Sequence, residues 1–427
     1  MNPWRSAVLT VTLGGALPAL LLAPSMVHAQ LPPGDGPLTT TVTVLEPSPV
    51  KFQDELLSRL TVPPGFRITV FAKDLQNVRW LLPMPNGDVY ASRREQGDVL
   101  LLRDSNRDGT VDERKIVAQN LKAAHGLALR GNQLYITADK KVLVADIQPD
   151  GSLSTPRVLI DDLPDAGQHP NRTLAFGPDG MLYITVGSTC NDCRDANPEN
   201  ATLLRALPDG SARAVYASGL RNTIGFGWHP GSGLLYGFDH GSDYHGDDTP
   251  PEELNQLRAN KHYGWPYCYG TRQPDPQVFN DPPGTTKADF CPGTEAPVLT
   301  YTAHAAPIGF AFYTGSQFPA EFRNDAFVAF RGSWNRAQPS GYRVARVRFD
   351  AAGRATAVQD FATGWLMDTP PPSFTQVGPN APPSEQNRAR RPAQFGRLAG
   401  LAMAADGSLL VAEDQNGVIY RITHTGR

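Results

Sequence analysis

A strand–turn–strand unit recurs six times along the 427-residue chain, at a spacing of about fifty residues, and further apolar strands follow the copies. Gly and Pro are abundant, at 40 and 39 residues, as many short strands and tight turns require. Together these features predict an all-β chain, a six-bladed β-propeller of four-stranded blades.

The first copy runs Trp80–Met84, turns at Asn86–Gly87 and returns through Val89–Tyr90. The second is Gly126–Leu129, Gly131–Asn132 and Leu134–Ile136; the third is Leu174–Phe176, Asp179–Gly180 and Leu182–Ile184. Ile224–Trp228, Gly231–Ser232 and Leu234–Tyr236 make the fourth. In the fifth a longer turn joins Ile308–Phe312 to Ala326–Val328, and the sixth is Leu401–Met403, Asp406–Gly407 and Leu409–Val411. Val99–Leu102, Lys141–Val144, Tyr342–Val347 and Val418–Ile422 supply further strands. Phe66–Phe71 precedes the first copy and is expected to complete the last blade, which removes a free sheet edge. Two wide gaps, 243–303 and 365–396, are rich in Pro, Gly and polar residues and read as loops.

Arg5, the apolar run Ala7–Ala23 and the small residues Val27 and Ala29 form the three regions of a signal peptide. A membrane anchor fits less well, because the run is short and broken by Gly14, Gly15 and Pro18. The domains expected are a signal peptide over 1–29, an extension over 30–61 packed outside the ring, and the propeller over 62–427. The mature protein is then exported, periplasmic or secreted, with no transmembrane anchor. Four cysteines in such a chain favour the local disulfides Cys190–Cys193 and Cys268–Cys291. The Cys190–Cys193 pair could instead be a redox motif or half a zinc site, but no thioredoxin-like context or second pair of that spacing accompanies it. The formal charge of −3, −4 without Arg5, offers no basic surface and excludes nucleic acid as the expected partner.

In a hairpin, the start of the first strand and the end of the second lie on one side. Those positions carry His125, His169, Asn171, Arg172, Arg221, Asn222, His304 and Arg397 at strand starts. Strand ends carry Arg93, Arg94, Asp139, Ser188, Asp239, His240, Arg331, Glu413 and Asp414. Any propeller has polar strand ends, yet the excess of His and Arg points to a funnel for an anionic ligand.

Several segments carry a family resemblance. His169–Tyr183, Gly219–Phe226, Asp239–Ser242, Glu252–Asn255 and His262–Pro266 occur in the order seen in soluble glucose, aldose sugar and sorbosone dehydrogenases that use pyrroloquinoline quinone (PQQ). The chain resembles that family over about residues 62–427, and Gly187–Cys190 with Asn197–Leu203 resembles its sorbosone-type branch. The resemblance implies oxidation of a sugar or related polyol, with PQQ and calcium as cofactors and a cytochrome or quinone as electron acceptor. It makes His169 the general base and places Arg221 beside the reacting quinone carbonyl, with Asn222 next to it in the pocket. The backbone carbonyls of Gly241 and Ser242 correspond to those that bind the active-site calcium. Arg331, Arg336 and Arg397 are the candidates for the PQQ carboxylates, and His125 and Arg172 are further pocket residues. These roles suit the chemistry: an imidazole is a base near neutrality, and a fixed cation stabilises charge that develops in the transition state. One departure stands out, since Ser188 replaces the Asp that orients the base in glucose-type members.

Asp104, Asn106, Asp108, Gly109 and Asp112 have the spacing of a calcium loop, which a simple Asp/Asn-rich turn would also produce. Two other readings of the whole chain stay open: a calcium-dependent propeller lactonase or esterase, and a non-catalytic sugar- or protein-binding propeller.

Overall fold

The computed structural model describes residues 8–9, 40–165, 167–368 and 391–426. Nearly all of the expected signal peptide and residues 369–390 of the second gap lie outside the described residues.

The described chain is nearly all β and consists mainly of four-stranded antiparallel sheets. The first sheet contains Val78–Pro83, Val89–Arg93, Asp98–Arg103 and Glu113–Ala118. Leu127–Arg130, Gln133–Ala138, Lys141–Asp146 and Arg157–Ile160 form the second. The third has Leu174–Phe176, Leu182–Val186, Thr202–Ala206 and Ala214–Ser218, with Lys261–His262 added in parallel at its edge. The fourth comprises Phe226–Trp228, Leu235–Asp239, Glu252–Gln256 and Leu299–Tyr301. Pro307–Phe312, Ala326–Phe330, Arg343–Phe349 and Ala355–Ala362 make the fifth, and Leu398–Met403, Leu409–Glu413 and Val418–His424 begin the sixth. The sixth is completed by Phe66–Ala72, which pairs antiparallel with Val418–His424 across the two ends of the chain.

The burial pattern explains why the repeat was legible. The second strands of the third, fourth, fifth and sixth sheets are buried at every position, so their sequences are mainly apolar runs, broken only by Thr185 and by Asp239 and Glu413 at strand ends. Outer strands such as Glu113–Ala118 and Arg157–Ile160 are more exposed, and Glu113–Ala118 opens on three charged residues. The first strands of most neighbouring sheets touch, with Val78–Pro83 against both Leu127–Arg130 and Leu398–Met403. A Cβ at Gly400 would lie 2.5 Å from the Arg79 carbonyl, so only glycine lets the sixth sheet close on the first. The third and fourth sheets are joined by the Ser188 amide, which donates to the Arg221 carbonyl at 2.8 Å.

The described part of the expected extension, from residue 40, packs against the sixth sheet and its neighbours. Ser48–Pro49 pairs in parallel with Ala393–Gln394, and the Asn416 side chain donates to the Val50 carbonyl and accepts from the Phe52 amide. Leu56 and Leu60 are buried in one cluster with Phe322, Phe361 and Trp365. The 243–303 gap is more than a loop: Glu252–Gln256 and Leu299–Tyr301 inside it are the outer strands of the fourth sheet. Its Pro- and Gly-rich stretches conceal short strands whose burial comes from tertiary packing. Both disulfides expected from the cysteine spacing are present, Cys190–Cys193 and Cys268–Cys291.

Candidate active site

Strand ends from several sheets converge on a cleft of about 360 Å³, and two kinds of wall face each other across it. One wall comes from the third and fourth sheets. His169 sits just before the strand Leu174–Phe176, and its Nδ1 lies 2.9 Å from both the Ser188 carbonyl and the Ser188 hydroxyl. Ser188 Oγ itself donates to the Cys190 carbonyl at 2.8 Å, so it is set to accept from Nδ1–H. That arrangement selects the tautomer with an unprotonated Nε2, which has no partner among the described residues. Burial, reinforced by the Arg221 charge, pushes the His169 imidazole down to about 3, so it is neutral at pH 7. Gly187 makes this approach feasible: a Cβ there would lie 2.5 Å from the His169 Cβ and 2.9 Å from the Asn222 side chain.

Arg221 and Asn222 are fixed from below by Asp239. Its buried carboxylate accepts from the amides of Arg221 and Asn222 at 2.8 and 2.9 Å and from the Thr223 hydroxyl at 2.7 Å. The Arg221 guanidinium is held by the Asn191 carbonyl and side chain, the Gly241 carbonyl and Asp243. Four of its five N–H donors are engaged, which leaves one Nη1–H without a partner among the described residues. Beside it stands a second neutral imidazole, His240, which burial pushes to about 3 and whose Nε2 donates to the Pro307 carbonyl at 2.6 Å.

The opposite wall comes from the first, fifth and sixth sheets and is built of arginines. Asp414 bridges Arg79 and Arg331, the latter at 2.6 Å. Although burial opposes it, those two guanidiniums hold the Asp414 carboxyl below its ordinary range. Arg397 donates to the Gly332 carbonyl at 2.8 Å. Arg94 completes the group, and the Nε atoms of Arg79, Arg94 and Arg397 are buried with no partner among the described residues. With Arg221, five guanidiniums line the cleft against four carboxyl groups, and burial keeps one of these, Glu252, up at about 8. A concave site with an excess of buried, under-satisfied cations is built for a polyanion.

A family model described as TrAA12-like matches residues 60–425. The chain belongs to that TrAA12-like family. Among solved structures it is similar to the holo form of the pyranose dehydrogenase PQQ domain from Coprinopsis cinerea, with a TM-score of 0.66 and 22% identity over 88% of this chain and 98% of that one. It is also similar to the calcium structure of the family AA12 enzyme of Trichoderma reesei, with a TM-score of 0.69 and 20% identity, covering 86% of this chain and 97% of the other. The aldose sugar dehydrogenase YliI of Escherichia coli is 29% identical over 169 residues, which is 36% of this chain and 43% of that protein.

In this TrAA12-like chain His169, Arg221, Asn222, Arg331, Arg397 and Gly241 all line the cleft, as the sequence led one to expect. Four other candidates do not. His125 is fully buried behind the wall, with its ring against Trp80 and its Nδ1 on the Arg172 carbonyl at 3.1 Å. Arg172 is buried too, and donates to the carbonyls of Pro164 and His169, so it shapes the base-bearing segment without reaching ligand space. Arg336 is not a lining residue; its Nη2 pairs with Asp248 at 2.6 Å, while its Nε and Nη1 are buried without a partner among the described residues. Ser242 lines a separate cavity of about 20 Å³ behind the cleft, together with Gly241, Asp239 and Glu253.

The Asp104–Asp112 loop closes on itself. Asp104 accepts from the amides of Asp108 and Gly109, while Asp112 accepts from Ser105 and Asn106. Its oxygens satisfy the loop's own N–H groups, the arrangement of a self-capped turn. Among the described residues, no three of its carboxylates come within ligand distance of one another. Sequence reasoning missed Asn77, Arg79, Asp243, Trp334 and Asn335 in the cleft. Arg79 did leave a signal, as a lone charge inside the apolar strand Val78–Pro83.

Proposed function

We propose that this chain is an exported PQQ-dependent dehydrogenase that oxidises a hydroxyl group of a sugar or related polyol, and that its six sheets are the blades of one six-bladed propeller spanning 62–427. The observation that carries the reading is the neutral imidazole of His169, open at Nε2, set opposite a wall of arginines with unpartnered Nε atoms. That wall suits the three carboxylates of PQQ, and the relatives named as PQQ and sugar dehydrogenases support the same assignment.

Bound PQQ supplies a two-electron acceptor for the hydride leaving the substrate carbon. His169 Nε2 takes the proton of the substrate hydroxyl, and its Nδ1–H stays on Ser188, which steadies the ring as it becomes charged. The remaining Nη1–H of Arg221 is the donor for negative charge that builds in the cleft. Arg331 and Arg397, with Arg79 and Arg94, hold the carboxylates and thereby the orientation of the cofactor. Calcium is proposed at the Gly241 and Ser242 carbonyls. Gly241 O accepts from Arg221 at 2.8 Å and keeps a second lone pair, and the buried carboxyls of Asp239 and Glu253 share that small cavity. Burial pushes these two up, to about 6 and about 8, and a cation beside them would oppose that effect. A lactonase would need free carboxylates around a cleft ion, whereas Asp414 and Asp243 are bound by arginines.

Export of the chain, with removal of residues 1–29, is supported by the two disulfides. Among the described residues no helix is long and apolar enough to cross a membrane. The electrons would pass on to a separate acceptor, a cytochrome or a quinone. The test is reconstitution: mature protein stripped with chelator is titrated with PQQ and calcium, then offered aldoses with a dye acceptor. One PQQ bound per chain and sugar-dependent dye reduction are expected. No PQQ binding by a folded protein would overturn the assignment.

A further inference from the structure

The hairpin between Leu182–Val186 and Thr202–Ala206 carries the four-residue loop closed by Cys190–Cys193. Neither cysteine lines the cleft. What the loop presents is Asn191, which stands behind Arg221 and does not itself line the cleft; its two oxygens face Arg221 and the elements around it, and its Nδ2 also donates to Asp192. The Asn191 carbonyl accepts from Arg221 Nε at 3.1 Å and from the Trp265 indole N–H at 3.2 Å. Its Oδ1 accepts from Arg221 Nη2 at 2.8 Å and from the Asp243 amide at 2.7 Å, and its Nδ2 returns a bond to the Asp243 carbonyl at 2.9 Å.

The next residue ties the same loop down. Asp192 binds His245 Nε2 at 3.1 Å, and His245 Nδ1 lies 3.1 Å from Asp275. Asp275 belongs to the segment stapled by Cys268–Cys291. Two disulfide-closed segments therefore grip one imidazole between them, and Asn191 is presented from a loop with very few conformations of its own.

An arginine has a long, rotamer-rich side chain, and a guanidinium free to swing would face developing charge only part of the time. Here both donors on the Nε–Nη2 edge of the fork are met by one residue. We infer that the Cys190–Cys193 loop sets the direction of Arg221, with Asn191 as its positioning residue. The inference rests on the reading of Arg221 as the donor toward charge developing in the cleft. It adds a role for a cysteine pair whose spacing alone suggests a redox motif: the disulfide narrows the loop so that the Asn191 carbonyl and side chain act together.

The experiment compares the full mature chain with Asn191→Ala and with Cys190→Ser/Cys193→Ser. Three quantities are measured: kcat in the PQQ- and calcium-loaded protein, the Kd for PQQ, and the ¹⁵N–¹H resonance of Arg221 Nε in the apoprotein, assigned with Arg221→Lys. In Asn191→Ala, kcat should fall by about tenfold or more while the Kd for PQQ moves by less than about threefold, because the carboxylate-binding arginines are untouched. The Arg221 resonance should broaden or disappear. The double serine variant should change in the same direction by less, and it decides the matter if Asn191→Ala fails to fold. An unchanged kcat and an unchanged resonance would overturn the inference, as would a PQQ Kd that rises in step with the loss of kcat. If the wild-type protein binds no PQQ, it is the dehydrogenase reading that fails, and the Arg221 resonance still tests the clamp.

Discussion

The two walls of the cleft differ in how completely their arginines are satisfied. On the side of the third and fourth sheets, His169 is held at Nδ1 and Arg221 at four of its five N–H donors, and both residues line the cleft. On the side of the first, fifth and sixth sheets, three arginines keep buried Nε atoms without partners among the described residues. Preorganised groups that need no rearrangement suit a chemical step, and under-satisfied cations suit the binding of an anion. The contrast divides the site into a reacting side and a holding side, and each prediction is a way to break that division or to sharpen it.

The largest effect is expected for His169→Ala. Loss of a positioned base should lower kcat by about 10²–10⁴, with the Kd for PQQ little changed, in a dye-linked assay paired with a binding titration. Replacement of His240, whose Nε2 already donates to the Pro307 carbonyl, should cost much less in the same assay. An equal loss in the two variants would mean that the base is misassigned.

On the holding side, Arg331→Ala removes a guanidinium that touches Asp414 at 2.6 Å and faces the cleft. A charge-assisted contact of this kind is worth ~1.5–3 kcal/mol, so the Kd for PQQ should rise about 10- to 100-fold, while kcat at saturating PQQ stays near wild type. Arg397→Ala should behave likewise. Arg336→Ala, which removes a residue paired with Asp248 that does not line the cleft, should not.

The pH profile gives a third test. Burial depresses the His169 imidazole to about 3, so its neutral form, the one able to accept a proton, persists down to that pH. The ordinary histidine value is near 6.5, and an unperturbed base would lose activity as pH falls through it. The expected profile of kcat/KM is therefore flat between about pH 5 and 7, and an acidic limb centred near 6.5 would contradict the burial argument. The same depression acts on stability: the unfolded chain takes up this proton below about 6.5 and the folded chain does not, so the contribution favouring the folded state is present above that value and diminishes as pH falls toward about 3. Ser188→Ala should have the smallest effect, a loss of about threefold at most, because the Ser188 carbonyl still accepts from His169 Nδ1.

Much of this fold was legible because a repeated pattern of burial leaves a repeated pattern of sequence. The inner strands show as apolar runs, and the pairing of Phe66–Ala72 with the last strand followed from the need to cover an edge. The outer strands of the fourth sheet were hidden, since Glu252 and Glu253 are charged letters in sequence yet are buried in the structure. At the site, the residues at hairpin ends could be placed by counting along strands: His169, Arg221, Arg331 and Arg397. Depth could not be counted that way. His125 and Arg172 occupy equivalent positions and face backbone carbonyls behind the wall. Arg336 and the Asp104–Asp112 loop show a second limit, because a charge or a spacing does not reveal which neighbour already satisfies it. The Asn191 clamp on Arg221 joins residues thirty apart through a disulfide loop, and no local pattern announces it.

The most direct test of the two-sided site is a single paired measurement, PQQ binding and single-turnover sugar oxidation in His169→Ala and Arg331→Ala side by side. The account predicts that His169→Ala binds PQQ like the wild type and fails to reduce it. It also predicts that Arg331→Ala binds PQQ weakly but reduces what it binds at a nearly normal rate. Parallel loss of binding and turnover in both variants would contradict the division of the cleft into a reacting and a holding side.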